Sequence, residues 1–149
     1  MADRPELDLG NYLPYLINRV GFALVESFTA GALTPHGLSI AMWRVLAALS
    51  NRGEQRQIDL VDMTSIDAST MSRLVTRLVR MGLVTRSRSA TSNREVVVEL
   101  SSSGRTLMQQ LIPIAKRLEQ TASSGLPAKD LAVVKRALGR MYDNLVSGG

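Results

Sequence analysis

Cysteine is absent from this chain of 149 residues, and His36 is its only histidine. Without cysteine there is no disulfide frame, no thiolate nucleophile and no cysteine redox sensor. One histidine is too few for a His/Cys zinc site. A Gly-rich phosphate loop and a nucleophile elbow are missing as well. We therefore expect a protein that is not an enzyme and that holds neither a metal nor an organic cofactor.

Long hydrophobic runs are also missing. No apolar stretch approaches the roughly 20 residues that cross a bilayer, and the first eight residues are too acidic and polar for a signal peptide. Hydrophobic residues make up 45% of the chain and charged residues 21%, which is ordinary for a folded globular protein. These features predict a cytoplasmic protein without membrane association, built as one domain over residues 1–149.

Acidic residues are absent from one long segment. Residues 68–94 contain no Asp, Glu, Lys or His, yet they carry six arginines. The net charge of the whole chain is +5, so the remaining 12 basic and 13 acidic residues sum to about −1. A local block of unopposed arginine is typical of a surface that meets phosphates, whereas a merely solvated face normally mixes signs. The six are Arg73, Arg77, Arg80, Arg86, Arg88 and Arg94.

Apolar periodicity and the Gly, Pro and Asn positions predict six helices and one β-hairpin. Residues 101–104, Ser-Ser-Ser-Gly, are predicted as a break before the fifth helix. Pro113 should kink that helix, because its ring removes an N–H and crowds the preceding turn. The predicted helices span residues 11–32, 38–50, 58–64, 68–81, 105–123 and a stretch after Pro127, and the predicted strands span residues 83–86 and 95–100.

The third and fourth helices and the turn between them form a helix-turn-helix pattern, whose second helix enters the DNA major groove with its N-terminal residues at base edges. Asp67 is predicted to cap that helix by accepting from the N–H groups of Ser69 and Thr70. Gly82 is predicted to close it. The apolar positions at i, i+3, i+4 and i+7 should form its inner face: Met71, Leu74, Val75 and Leu78.

The outer face of the fourth helix and the hairpin are the predicted DNA-binding surface. Short hydroxyl side chains allow close approach to DNA, and Arg side chains reach base edges or phosphates. The hairpin can lie along the minor groove, where arginine meets an enhanced negative potential. The alternative role for the hairpin arginines is only to keep the hairpin soluble through their charge. The alternative role for Arg80 is only to complement the helix dipole. The candidates are Ser69, Thr70, Ser72, Arg73 and Arg77 on the helix and Arg86, Arg88 and Arg94 on the hairpin.

Three segments together resemble the MarR family of bacterial transcription regulators. They are STMSRLVTRL at residues 69–78, GLV at 82–84 and REVVVELSSSG at 94–104. The resemblance implies a mainly α (α+β) fold, a winged helix-turn-helix with flanking N- and C-terminal dimerisation helices, in the order four helices, hairpin wing, two helices. The lobe would span about residues 37–102, and the dimerisation helices about residues 10–33 and 105–146.

The function implied by this resemblance is that of a sequence-specific DNA-binding transcriptional regulator. Members act as homodimers on duplex operators, more often as repressors than as activators, and are commonly released by a small aromatic or phenolic ligand. We therefore expect a repressor of a pseudo-palindromic operator. Two alternatives are a small-molecule-binding dimer with a vestigial DNA lobe and an architectural protein that binds DNA without sequence preference.

The resemblance also suggests roles for residues outside the arginine block. Apolar residues of the last helix recur at intervals of three and four residues, which is typical of the contact stripe between two packed helices. With two residues of the first helix they make up the predicted dimer interface: Leu13, Ile17, Leu131, Val134, Leu138, Met141 and Leu145. The candidates for binding an anionic aromatic ligand are Arg19, His36, Trp43 and Arg44. Plain core packing is the alternative for Trp43 and a surface or capping role for His36, and the two share a side of the second helix only if that helix begins early.

Two positions depart from the family pattern. Family wings often read D-P-x-D-R-R, whereas residues 89–94 read SATSNR. The acidic residues are gone and Asn93 takes the place of the first wing arginine, so we expect Asn93 in the DNA contact set and a looser wing. Ser65 stands in the helix-turn-helix turn where glycine is frequent, which is tolerable if Ser65 avoids a positive φ.

Overall fold

The computed structural model describes residues 3–92 and 94–148, and it divides into two compact units with their boundary between Ala115 and Lys116. The described residues contain six α-helices and a small antiparallel sheet, in the order expected for a winged helix-turn-helix chain. The helices are α1 (Leu13–Phe28), α2 (Ile40–Arg52), α3 (Gln57–Thr64), α4 (Ala68–Arg80), α5 (Ser102–Ala122) and α6 (Ala128–Ser147), and the strands are β1 (Gln55–Arg56), β2 (Val84–Arg88) and β3 (Val96–Leu100).

The first helix ends differently from the prediction. α1 stops as an α-helix at Phe28, but the chain keeps winding as a π-turn over Thr29–Leu33 and a 3-10 turn over Thr34–His36. Gly37 then ends the helical path at a φ of +68°. The predicted break at Gly31 is therefore a change of helical pitch rather than a stop, and the expected end near residue 32 is close to where the π-turn ends.

The core of the first unit is built on α2, α3 and α4. α2 begins at Ile40, where the Ser39 hydroxyl accepts a hydrogen bond from the Met42 N–H at 3.2 Å. The predicted inner face of α4 is confirmed: Met71, Val75 and Leu78 are fully buried, and Leu74 is half-buried. The core also contains buried side chains from the elements around α4. Among them are Leu33, Val45, Leu46, Leu60, Val98 and Leu111.

Gly82 closes α4 as predicted, in a Schellman arrangement. Its φ is +75°, and its N–H donates to the Val79 carbonyl at 3.0 Å. The N–H of Leu83 donates to the Leu78 carbonyl, also at 3.0 Å. This pair of bonds is the usual C-terminal signature of a helix that ends on a left-handed glycine, and it directs the chain from α4 straight into β2.

The sheet has the order β1-β3-β2, with β3 paired antiparallel to both neighbours. The predicted hairpin is confirmed, although β2 extends to Arg88. β1 was not predicted, because two polar residues carry no alternation of apolar and polar side chains. It pairs Gln55 with Val98 and Arg56 with Val97, which joins the start of α3 to the wing.

The predicted break at residues 101–104 is wrong. α5 begins at Ser102, because the Ser101 hydroxyl accepts from the Gly104 N–H at 3.0 Å and so caps the helix. The same hydroxyl donates to the Gly82 carbonyl at 2.6 Å. α5 runs through Pro113 to Ala122. The serine run that resembled a loop is therefore the capped first turn of a helix.

Apolar side chains are unusually exposed on α1 and α6. Of the described residues of α6 none is buried, and α1 buries only Phe28. The exposed fraction is 57% for Val20 and 81% for Leu145. Such stripes mark a surface that another chain covers more often than they mark a solvated face. Separately, none of the helices in the part of the chain described here is long and apolar enough to span a bilayer.

Candidate nucleic-acid interface

The N-terminus of α4 is held by the carboxylate of Asp67. Asp67 accepts from the Thr70 N–H at 2.8 Å, from the Thr70 hydroxyl at 2.7 Å and from the Ser69 hydroxyl at 2.9 Å. The predicted cap is confirmed for the Thr70 N–H, whereas Ser69 binds through its side chain. These bonds to the charged form lower the pKa of Asp67 to about 2. Both hydroxyls are thereby oriented as donors to Asp67 and keep their oxygen lone pairs for other partners.

The outer face of α4 presents the predicted reading residues to solvent. Ser72, Arg73, Arg77 and Arg80 are exposed. Together with Thr76 they line a depression of about 360 Å³ along the helix. Arg73 lies near the cap, with its Nη2 atom 3.4 Å from the Thr70 hydroxyl. α4 itself carries no acidic residue, and within residues 3–92 and 94–148 no ion pair joins these arginines to an acid.

The wing arginines on β2 lie on the side of the sheet that faces α4. Side chains at alternate positions of a strand share a face, so Arg86 and Arg88 lie on the same side as buried Val84. Arg86 confirms this direction, since its Nη1 atom donates to the Thr76 hydroxyl of α4 at 3.0 Å. The helix and the wing are therefore joined by a direct side-chain hydrogen bond that sequence reasoning did not anticipate.

A second depression continues the first one from the helix to the wing. It has a volume of about 340 Å³, and it shares Ser72 with the depression along α4. Five of the predicted DNA-binding residues therefore line the two adjoining depressions, together with Arg80. They are Ser72, Arg73, Arg77, Arg86 and Arg88. The second depression is lined by Gln57, Ser72, Arg86, Ser87, Arg88 and Val96.

The tip of the wing is held by its own backbone and hydroxyls. The Ser89 N–H donates to the Glu95 carbonyl at 2.9 Å, which adds one more rung to the ladder. The Glu95 N–H donates to the Ser92 carbonyl at 3.2 Å, and the Arg94 N–H donates to the Ser92 hydroxyl at 3.4 Å. The Arg94 side chain is exposed. Asn93, predicted as a DNA contact, lies outside the described residues.

One charged cluster beside the wing was missed by sequence reasoning. Arg56 binds Asp59 with two hydrogen bonds, of 2.8 and 3.0 Å, and Glu95 with a third of 2.9 Å. These contacts lower the pKa of Asp59 and raise that of Arg56, and the largest cause of both shifts is the Arg56–Asp59 hydrogen bonding. Arg56 and Glu95 are 39 residues apart, so only the pairing of β1 with β3 could have revealed their proximity.

The turn between α3 and α4 adopts a backbone that serine rarely takes. Ser65 has a φ of +57° and a ψ of +27°, in the left-handed region. Among the described residues it is the only non-glycine with a positive φ. The condition under which serine is tolerable here, a φ that is not positive, is therefore not met, and Ser65 ends α3 as a left-handed C-cap residue.

The predicted ligand-binding residues occupy separate local environments. In α1 the Arg19 guanidinium lies over the Tyr15 ring, 5.6 Å from its centroid. Trp43 is half-buried and meets Phe28 edge-on, with ring centroids 4.7 Å apart at an angle of 64°. Trp43 therefore takes part in core packing, which was the alternative interpretation of its role.

His36 and Arg44 are both exposed. His36 belongs to the 3-10 turn that ends at Gly37, and α2 begins only at Ile40. The hypothesis that His36 and Trp43 share one side of a single helix is therefore wrong, because the backbone between them leaves the helical path.

The residues predicted for the dimer interface are accessible in the single chain. They lie on α1 and α6, where the exposed fraction is 43% for both Ile17 and Leu138. The full set is either exposed (Leu13, Ile17, Val134, Leu138, Leu145) or half-buried (Leu131, Met141).

Comparison with known proteins identifies the lobe that carries this surface. Residues 38–96, from the start of α2 to the wing, match the model of the MarR family. Over these residues the chain is similar to the MarR family. The matched segment contains α4, the helix-turn-helix turn and most of the wing, so the family assignment falls on the same residues that form the arginine surface.

Proteins with similar sequences are transcriptional regulators. The HTH-type transcriptional repressor NicR of Pseudomonas putida is 27% identical over 147 residues, covering 99% of this chain and 92% of NicR. A structure of a MarR-family transcriptional regulator from Silicibacter pomeroyi is similar with a TM-score of 0.84 at 28% identity, over 94% of this chain and 96% of that one.

A further solved structure concerns regulation by a small molecule. It describes a mechanism for regulation of DNA binding of Bordetella bronchiseptica BpsR by 6-hydroxynicotinic acid. Its TM-score to this chain is 0.77 at 27% identity, over 88% of this chain and 98% of BpsR. The relatives and solved structures that resemble this chain over most of its length are thus transcription regulators.

Proposed function

We propose that this protein is a homodimeric transcriptional repressor that binds a pseudo-palindromic duplex operator and is released by a small anionic aromatic ligand. One observation carries the DNA-binding part. All six arginines of the acid-free block are exposed, and they lie on α4 and the wing of one lobe. An exposed, one-signed arginine surface on a helix-turn-helix lobe favours the phosphates of a duplex.

In this proposal α4 reads the sequence from the major groove. Arg73 and Arg77 lie one turn apart on its exposed face and can reach base edges bidentately. The hydroxyls of Ser69 and Thr70 stay near the helix start because Asp67 orients them, and Ser72 lines both adjoining depressions. These five side chains are the proposed base-reading set.

The wing supplies contacts to the DNA backbone and the minor groove. The wing residues proposed to make these contacts are Arg88, Asn93 and Arg94. Arg86 is already hydrogen bonded to Thr76, so its proposed role is to hold the wing beside α4 while its charge adds to the field. Phosphate contacts of this kind set register and affinity, whereas base contacts set specificity.

Dimerisation is proposed through the exposed apolar stripes of α1 and α6. The exposure of Leu13, Ile17 and Leu138 in the single chain supports a surface that a second copy covers. A dimer also explains how a short helix achieves specificity, because two recognition helices read two half-sites about 34 Å apart.

We propose that the ligand releases DNA by changing the distance between the two DNA-binding lobes of the dimer. A ligand regulates DNA binding only if it binds more tightly to the dimer conformation whose lobes do not fit two successive major grooves. The likeness to BpsR supports a ligand that is a small heteroaromatic acid or phenol. Arg19, His36 and Arg44 are the candidate partners of its anionic group, and Trp43 is the candidate for the wall of the binding pocket.

The decisive experiment is a footprint on the DNA upstream of the protein's own gene. A repressor should protect two half-sites about one helical turn apart. It should also bind that fragment at least about 1,000-fold more tightly than scrambled DNA of equal length, which is the lower end of typical specificity ratios. Retention of DNA without a footprint would instead indicate an architectural protein. Absence of retention at about 0.15 M salt would indicate a small-molecule-binding protein with a vestigial DNA lobe.

A further inference from the structure

The guanidinium of Arg56 uses three nitrogens on two carboxylates. Its Nε and Nη2 atoms donate to the two oxygens of Asp59, at 2.8 and 3.0 Å. Its Nη1 atom donates to Glu95 Oε1 at 2.9 Å. A forked, bidentate pair fixes the plane of the guanidinium, so the remaining nitrogen is aimed at a definite point. That point is the carboxylate of Glu95.

The cluster joins the tip end of β3 to the helix-turn-helix. Arg56 ends β1 and Asp59 lies in the first turn of α3. Glu95 immediately precedes β3, and the next residue toward the tip is Arg94. Arg94, Arg56 and Glu95 line one depression of about 230 Å³, and the first residue of α4, Ala68, lines it too. Because Arg94 and Glu95 are adjacent in the chain, the contact between Arg56 and Glu95 also restricts the position of Arg94 relative to the start of α4.

We propose that Arg56 is a positioning residue for DNA binding, which holds the wing through Glu95 so that Arg94 stays near the recognition helix. This inference rests on the proposed function, since it assigns the wing a role on DNA. The wing tip of this chain lacks the acidic residues frequent in the MarR family, and Glu95 supplies a carboxylate at the tip end of β3 instead. A wing ordered before binding loses less conformational entropy when it meets DNA.

Removing the charge of Glu95 should change DNA affinity in opposite directions, depending on whether Glu95 acts through its charge alone or by holding the wing. Removing an acid beside a phosphate-binding surface should strengthen DNA binding if the acid acts only through its charge. Removing the acid that holds the wing should weaken DNA binding. Glu99 is the matched control, because it is an exposed acid on β3 and forms no ion pair with any residue in the described ranges.

The test compares Glu95→Gln and Glu99→Gln in the full-length protein, on the operator fragment and by hydroxyl-radical footprinting. We expect Glu95→Gln to weaken binding about two- to fivefold, the range of exposed ion pairs, and to lose protection at the wing positions while the central protection of α4 remains. We expect Glu99→Gln to bind equally well or more tightly. In an Arg56→Met background the effect of Glu95→Gln should reverse sign, because Glu95 is then an unpaired acid.

A second measurement on the protein without DNA separates the possible failures. Amide hydrogen exchange at Ser89 and Glu95, whose N–H groups hold the tip, should be faster in Glu95→Gln and unchanged in Glu99→Gln, with equal thermal unfolding of both. If the wild type binds the operator but the two variants behave alike in binding and exchange, the role of Arg56 is overturned alone. If the wild type binds no DNA, the proposed function fails and this role fails with it.

Discussion

A Cβ atom on Gly104 would lie 2.1 Å from the carbonyl oxygen of Leu83. No real side chain tolerates that distance, so the first turn of α5 and the chain leaving α4 meet in backbone contact that only glycine permits. The same carbonyl accepts from the Ser101 N–H at 3.0 Å. Gly104→Ala should therefore lower the free energy of unfolding by about 1–3 kcal/mol, the usual effect of overpacking a closed site, measured by urea denaturation.

The control for this substitution is Gly31→Ala. Gly31 also lies in a helical segment, the π-turn after α1, but a Cβ atom there would meet nothing within 4 Å. Alanine should leave stability unchanged or raise it by about 0.5–1 kcal/mol, because it restricts the unfolded chain. Equal destabilisation by both substitutions would contradict the close approach at Leu83.

Ser65→Gly should stabilise the helix-turn-helix turn. A left-handed conformation costs a non-glycine residue about 1–2 kcal/mol, and glycine offsets part of that gain through its greater freedom when unfolded. We expect a net rise of up to about 1 kcal/mol, seen as a higher denaturation midpoint with unchanged DNA affinity. Ser65→Val should destabilise, and the order Gly, Ser, Val in stability is the outcome that the positive φ requires.

Asp67 should make stability depend on pH in the acid range. Its folded-state pKa, about 2, lies below its ordinary value of 3.8. The unfolded state thus binds the proton first, so the contribution of the charged cap is complete above about pH 4 and is lost as the pH falls towards 2. Asp67→Asn keeps a capping oxygen without the charge. The stability difference between wild type and variant should shrink between pH 4 and pH 2 in denaturant titrations, and a constant difference would count against the cap.

Arg73→Ala should relax specificity rather than merely weaken binding. If Arg73 reads a base, the operator loses about 1–3 kcal/mol of binding free energy while binding to random DNA changes little. Arg88→Ala is the comparison, since a phosphate contact lowers affinity for all sequences and reduces the salt slope by about one. Equal losses on operator and random DNA would remove Arg73 from the base-reading set.

Leu138→Asp should convert the proposed dimer to monomers. The side chain is 43% exposed in the single chain, so a charge there disturbs no core and acts only on the surface proposed for dimerisation. Ile58→Asp is the control, because Ile58 is 57% exposed but lies on α3 beside the wing. Sedimentation velocity should show a monomer for the first variant and a dimer for the second. If both variants sediment as dimers, Leu138 of α6 is not in the dimer interface.

Local signals were sufficient to predict α4 and its surroundings. The apolar spacing of Met71, Val75 and Leu78 needs only the helical period, and Gly82 needs only its freedom at positive φ. The exposed arginines follow from the same spacing, because residues that are not on the inner face must lie outside. The hairpin was predicted for a similar reason, since β-branched runs around small polar residues describe it in one stretch of chain.

The sequence by itself thus determined which segments form helices, which face of α4 is buried and where the positive charge collects. Tertiary structure decided what those local signals do not contain. Arg86 reaches Thr76 because the sheet turns one face to α4, Arg56 reaches Glu95 because β1 joins β3, and Gly104 is required because α5 begins against the Leu83 carbonyl. Each of these pairs lies far apart in the chain, and only the folded backbone brings their atoms within bonding or contact distance.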